Sequence, residues 1–436
     1  MQAGNRFAPG NAIETGWAVV LPSKEVNCMS GDNLKHVLDG YRVLDFSQIV
    51  AGPTTTLMLA EMGAEVIKVE LPPAGDPARQ GEVRINGRSG YFVQHNRGKK
   101  DICVDVKHPE GLAIIKALLP HVDVLVQNYA PGVIARLGLD YETVSAINPK
   151  IVMCSISAFG QSGPLAQEPG FDYLGAAYAG ITSMGGEPDG PPQIPMIAIG
   201  DVSTGAHAMG AICAALLYRA RSGRGQHLDI SLLDTYAHYH EAGVQMHSVS
   251  GGRINPTRSG AHSWYATPAG VFRGNNRYFI IIAPLQHQFA ALSKAMGNPA
   301  LAEDPRFATN ADRLKNLKQL TWVIEEWLQA QPNDEAVLAP MREYRVPCAP
   351  ILSVAEARQH PHLRERGTIR TVHDRILGDF DVPGFALRFS AFPERLTLEA
   401  PMLGEHNEEV LTKFLGYSSE RVRDLEQQGV LRNAPY

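Results

Sequence analysis

No apolar run in this chain approaches the ~20 residues that cross a bilayer, and "GWAVVLP" near the N-terminus is too short for a secretory core. A membrane partner is not expected. Five cysteines (Cys28, Cys103, Cys154, Cys213, Cys348) stand far apart, with no CxxC and no paired histidine nearby. That excludes a disulfide frame and a zinc site, and it fits free thiols in a reducing, cytoplasmic setting. The net charge is −5, which argues against a nucleic-acid partner. There is no GxGxxG, no GxxxxGK[ST], no HExxH, and no GxSxG after a strand. Dinucleotide, P-loop, metalloprotease and serine-hydrolase readings therefore lack support. Internal repeats and low-complexity segments are also missing.

What is present alternates. "YRVLDFS" reads as a strand, "TTTLMLAEMG" as a helix closed by Gly63, and "EVIKVE" as a strand. "KDICVDV", "DVLVQNY" and "KIVMCSISAF" continue the strands, and "PEGLAIIKALLPHV" and "PGVIARLG" the helices. Strands alternating with helices imply parallel crossover units, hence an α/β doubly wound sheet. A long helix, "STGAHAMGAICAALLYRARSG", follows, with small residues at Gly205, Ala206, Gly210 and Ala214 for close packing, Arg219 and Arg221 in its last turn, and Gly223 closing it. "QHLDISLLDTYAHYHEAGVQMH" reads as strand then helix, and "SVSGGRINPTRSGAHSW" as an irregular linker or active-site loop. A hairpin is expected around Asn275 and Asn276, strands over "DFDVPGFALRFSAFP", and a terminal helix at "LGEHNEEVLTKFLG". The 436 residues suggest two or three domains. The expected divisions are an N-terminal extension over 1–39, a large domain begun by 40–225, a linker and small domain over 226–344, and a return to the large domain over 345–436. Met29 is read as lying near the functional start.

Asp201, in "IAIGDVSTGAHAMG", stands just before the expected helix. Its local reading is an N-cap. Its chemical reading is a carboxylate kept ionised by helix-start N–H groups and aimed into a cleft, with Gly200 and Gly205 allowing close approach. Asp172, in "PGFDYLG", reads as a turn residue in a loop that follows a strand, where parallel sheets build their sites. Lys68, Lys99, Lys107 and Arg136 read singly as solvated charges, and together with Asn96 and Asn128 as a phosphate-holding patch. His406 reads as a helix-start residue.

The segments "VLDFSQIVAGPTTTLMLAEMGAEVIKVE", "NRGKKDICVDVKHPEG", "DVLVQNYAPGVIARLGLDYETVSAINPKIVMCSISAFGQSGP", "GDVSTG", "SGRGQHLDISLLD" and "PMLGEHNEEVL" together resemble the family III CoA-transferases, the CaiB/BaiF family, over about residues 40 to 430. The resemblance implies a Rossmann-like large domain built from both ends of the chain, a smaller α/β domain, and an interlocked homodimer. It implies no tightly bound cofactor, with acyl-CoA and a carboxylic acid as substrates. It makes Asp201 the nucleophile, forming first an aspartyl mixed anhydride and then an aspartyl-CoA thioester, and gives Asp172 a supporting role. Gln48, Ile49, Val50, Ala51, Val104, Lys107, Asn128, Tyr129, Arg136 and Leu137 match its coenzyme contacts. An Arg frequent after "VIKVE" is Leu71 here, so that phosphate contact is lost or passes to Arg79 or a neighbour.

Two other readings differ in chemistry. The family's α-methylacyl-CoA racemases carry a His before the acidic residue and lack the GDxxTG form; this chain has Phe171 there and keeps Gly200, Asp201, Thr204 and Gly205. A non-catalytic CoA binder would keep Lys107 and Arg136 without needing Asp201. Oxalate-specific members resemble one another in a tetraglycine loop, which here is "RSGAHSW". That favours larger diacids and succinyl-CoA, with oxyanion donors near Gly260 and with Arg253, Arg258 and His262 as contacts for a second carboxylate.

Overall fold

The computed structural model describes residues 34–434. Expectations for residues 1–33, including Met29 and Cys28, lie outside them.

The first half of the chain builds one sheet. Its strands are β1 (Arg42–Asp45), β2 (Glu65–Glu70), β5 (Lys99–Cys103), β6 (Val124–Gln127), β7 (Val152–Ser157) and β8 (Gln226–Ser231), and two-residue strands β3 (Arg84–Ile85) and β4 (Arg88–Ser89) pair separately. The order is β5-β2-β1-β6-β7-β8, and every neighbouring pair is parallel. β8 lies past the residue 225 division expected above and forms this sheet's edge. The helices are α1 (Ala51–Glu61), α2 (Gly90–Asn96), α3 (Pro109–Leu118), α4 (Val133–Arg136), α5 (Tyr141–Ile147), α6 (Asp172–Tyr178), α7 (Ile199–Ser222) and α8 (Leu232–His238). Pro109 opens α3, where its missing N–H costs nothing.

Both faces of the sheet are covered, which is why its strands read as near-continuous apolar runs. One core joins Leu44, Ile67, Ile102 and Leu125 to α3 and, through Val410, Leu411, Val422 and Leu425, to the chain's last two helices. The helix expected as terminal, Asn407–Leu415, is followed by Ser419–Gln427. The other core packs Val43, Val66, Val126 and Ile156 against α1 and α7.

A separate core, around Phe272, Phe289, Phe307 and Ile324, lies under the antiparallel strands β9 (Ala269–Arg273), β10 (Tyr278–Ile282) and β11 (Cys348–Pro350). β9 and β10 are the expected hairpin, closed by the Gly274 N–H donating to the Arg277 carbonyl. β12 (Ile369–Asp374) pairs with β13 (Gly378–Pro383), so only the start of "DFDVPGFALRFSAFP" is strand. Residues 250–264 contain no helix or strand.

α7 starts at Ile199, with Ala198 at its N-cap and no side-chain cap. Asp201 is therefore inside the first turn and does not cap the helix. Gly205 lies against α1, where an added Cβ would come 2.8 Å from the Ala51 carbonyl oxygen. Gly210 meets nothing within 4 Å, and Ala214 is exposed; of the small residues expected to pack closely, Gly205 does, while the second half of α7 packs through Ile212, Ala215 and Leu216. Gly223 ends it in the left-handed region, its N–H on the Arg219 carbonyl.

Candidate active site

In a doubly wound sheet the crevice opens where the strand order reverses, at the carboxyl ends of the strands. Here that is between β1 and β6. A cavity of about 340 Å³ lies there, walled by Gln48–Ala51 after β1, Asn128–Ala130 after β6, Ile156–Ala158 at the end of β7, Gly170 and Phe171 before α6, Asp201 of α7, and Leu232.

Asp201 is half-buried. Burial first, and then the charge of Asp172, together raise its pKa to about 7, with no hydrogen bond countering either. The expectation that helix-start N–H groups hold it ionised is not met. The result is a carboxylate with little stabilisation of its negative charge, and such an anion is a better nucleophile. Tyr91 of α2 feels the same charge: burial, then Asp201, then Asp76 raise its phenol.

Asp172 is the first residue of α6 and 5% exposed, so it is not a solvated turn residue. Its Oδ1 accepts the Tyr236 hydroxyl at 2.5 Å, and its Oδ2 is buried without a partner. The Tyr236 oxygen in turn accepts the Gly200 N–H at 3.0 Å. The chain Gly200–Tyr236–Asp172 thus ties α8 and α6 to the residue before the candidate nucleophile. Nothing in "LLDTYAH" marks this tyrosine, because its partners lie 36 and 64 residues away.

The coenzyme candidates separate into groups. Gln48, Ile49, Val50, Ala51, Asn128 and Tyr129 line the cavity with Asp201. Asn128 is occupied with the chain itself, accepting the Gln48 N–H at 2.8 Å and donating to the Gln48 carbonyl at 2.9 Å. Lys107 and Arg136 are exposed, following β5 and β6 on the same sheet edge. Leu137 packs against the first core, and Val104 is buried within it.

The phosphate patch fails for three of its members. Lys68, Lys99 and Asn96 are buried. Lys68 pairs with Asp76 at 2.9 Å and Lys99 with Asp45 at 3.1 Å. A lysine between Ile67 and Val69, in a strand flanked on both sides, was the signal for this. Burial pulls Lys99 down to about 8, against the opposing pull of Asp45. Arg79, a possible substitute for the arginine absent at Leu71, is bound to Glu70 at 2.6 Å. His406 does not cap its helix by side chain; its Nδ1 accepts the Asp101 N–H.

Gly260, Arg258 and His262 are not on the cavity wall. The Gly260 N–H is spent on the Gly186 carbonyl, so it is not the expected oxyanion donor. Arg258 Nε and His262 Nδ1 are buried without hydrogen-bond partners. No group of three metal-ligating side chains occurs among the described residues.

Residues 38–407 match CoA-transferase family III. A succinyl-CoA:glutarate CoA-transferase of Mus musculus is 33% identical over 424 residues, covering 97% of this chain and 96% of its own length. A succinyl-CoA–D-citramalate CoA-transferase of Chloroflexus aurantiacus is 35% identical, covering 92% and 100%. The crystal structure of a CaiB/BaiF family protein from Brucella suis superposes with a TM-score of 0.77 at 34% identity, covering 87% of this chain and 99% of that one.

Proposed function

This chain belongs to the family III CoA-transferases, and from that membership we propose that it moves CoA from succinyl-CoA to a second dicarboxylic acid through Asp201. The observation that carries the reading is the single cavity wall shared by Asp201 and Gln48–Ala51, 150 residues away in sequence.

The Asp201 carboxylate attacks the thioester carbonyl and expels CoA thiolate, giving a mixed anhydride. The thiolate attacks the Asp201 carbonyl of that anhydride and releases the donor acid, leaving an aspartyl-CoA thioester. The acceptor carboxylate attacks this thioester, and the thiolate expelled then takes the acceptor's acyl group, freeing Asp201. Each bond broken is replaced by one of similar energy, so no nucleotide triphosphate is consumed. Every addition creates an oxyanion. Donors for it are available at the start of α1, whose first residue, Ala51, lines the cavity. Asp172, held by Tyr236, tunes the charge beside Asp201.

Both acids named in the two relatives, glutarate and D-citramalate, are diacids. Phe171 stands on the cavity wall where a racemase would need a base, and it cannot move a proton. The exposed apolar run of Met196, Ile197 and Ile199 before and into α7 supports self-association as a homodimer.

Succinyl-CoA assayed with a panel of mono- and diacids tests the substrate class. Equal rates for both classes overturn it. Mass spectrometry after hydroxylamine trapping tests the nucleophile; a hydroxamate at any residue other than Asp201, or at none, overturns that assignment.

A further inference from the structure

We propose that the buried pair Asp76–Lys68 is a positioning device that holds the Ser47–Ile49 turn in the shape an acyl-CoA meets. The inference rests on the cavity being the acyl-CoA site and names what keeps its wall in place.

Ile49 has φ 67°. For a β-branched side chain that conformation is an outlier, sterically opposed by its own Cβ substituents, and it persists only where the surroundings enforce it. Ile49 is also 41% exposed and lines the cavity, so packing of its side chain does not enforce it. Hydrogen bonds do. The Ile49 N–H donates to Asp76 Oδ1 at 3.1 Å. Asp76 Oδ2 lies 2.9 Å from Lys68 Nζ, with both side chains wholly buried. Lys68 Nζ donates to the Ser47 carbonyl at 2.7 Å. Asn128 occupies both the N–H and the carbonyl of Gln48. Four consecutive backbone polar atoms, from Ser47 O to Ile49 N, are therefore each claimed by a side chain from elsewhere in the fold.

Asp76 is itself fixed. Its N–H donates to Glu70 Oε2 at 2.6 Å, and its Oδ1 also accepts the Ala78 N–H. Lys68 is the centre of the arrangement: Asp76, Asp45 and Glu70 together outweigh its burial and keep it charged. The pair spans the strand β2, the loop after it and the turn after β1. It touches no part of the cavity wall except through the turn's backbone, so its part is positioning and not catalysis.

Calorimetric binding of CoA, without turnover, tests this in a double-mutant cycle. Asp76→Ala is expected to weaken CoA binding about tenfold in the otherwise unaltered chain and no more than about twofold in the Ile49→Gly background, because glycine enters the left-handed region without help. Asp76→Asn, which keeps an acceptor oxygen but loses the charge opposite Lys68, is a second variant should the alanine form not fold; its loss is expected to be smaller and equally removed by Ile49→Gly. A folded Asp76 variant that binds CoA as well as the wild type overturns the inference. So does a loss of the same size in both backgrounds, which would mark the pair as merely structural. Failure of the wild type to bind CoA at all would overturn the reading of the cavity and this inference together.

Discussion

The Tyr236 hydroxyl donates to Asp172 at 2.5 Å while receiving the N–H of Gly200, the residue before Asp201. One phenol therefore bears on two things at once: the charge next to the proposed nucleophile and the backbone that carries it. Tyr236→Phe removes both bonds and leaves the ring's packing unchanged. Without the phenol's O–H the Asp172 charge beside Asp201 is less offset, and that charge raises the Asp201 carboxyl, so the acid limb of the rate profile moves to higher pH. Tyr91 and Tyr236 also sense the Asp201 charge, which raises both phenols, so both stay protonated over this range. We expect a shift of about half a pH unit or more and a fall in kcat of about tenfold, read from pH–rate profiles of the two enzymes. An unmoved limb with a lower rate would reduce Tyr236 to a packing residue.

The acid limb itself has an expected position. The attack proposed for Asp201 requires its carboxylate form, and burial followed by the charge of Asp172 raises its pKa to about 7. The ionised fraction of free enzyme rises with pH through that value, so kcat/KM for acyl-CoA should climb about tenfold per unit below it and level off above it. An enzyme already at its plateau at pH 5.5 would contradict this. Asp201→Asn, which cannot ionise, should lower turnover by at least about a thousandfold while leaving CoA binding within a few-fold.

Much of this arrangement could be read from the residues. The alternation of apolar strands with helices is a local signal, and it places β1, β2, β5, β6 and β7 because their side chains are buried on both faces; the two-residue β3 and β4 carry no such signal. The turn Gln48–Ala51 and Asp201 are visible as short motifs. Tyr236 is not, because its meaning lies in contacts across 36 and 64 residues, and a lone tyrosine on a short helix has many possible surroundings. Lys68 and Lys99 differ from expectation for the opposite reason: lysine is usually solvated, but the pairing of β2 with both β1 and β5 encloses Lys68, and Asp45, Asn96 and the Pro53 carbonyl enclose Lys99. The start of α7 was misplaced because Asp is so favoured as a cap that the apolar Ile199, with Ala198 as the uncapped N-cap, was passed over.

Gly200 offers a test of packing around the proposed nucleophile. A Cβ there would fall well inside van der Waals contact with both the Tyr236 ring and Asp172 Oδ1. Helix propensity favours alanine by about 1 kcal/mol, but overpacking at a buried site typically costs about 1–3 kcal/mol, and here it also pries apart the Gly200–Tyr236 bond. Sterics should win. Gly200→Ala is expected to lower Tm and to reduce kcat more than it raises KM, since Asp172 and Tyr236 are displaced together. A variant as stable and as active as the wild type would mean that α6 and α8 yield without cost.

Lys99 tests the buried charges beneath the sheet's carboxyl edge. Its ammonium donates to Asp45, Asn96 and the Pro53 carbonyl, all out of contact with water. Asp45 also accepts the Ser47 and Thr56 hydroxyls; burial raises its pKa, but Lys99, Lys68 and these hydroxyls together bring it below the ordinary value. Removing one member of such a pair strands the other, at a cost of about 3 kcal/mol or more. Lys99→Met should therefore unfold at markedly lower denaturant than the wild type. Adding Asp45→Asn removes the stranded charge, keeps an acceptor oxygen for Ser47 and turns its NH2 to the Thr56 hydroxyl, which can accept, so the double variant should be more stable than Lys99→Met alone. That ordering distinguishes a stranded charge from simple loss of packing, because loss of packing alone would make the second substitution a further injury.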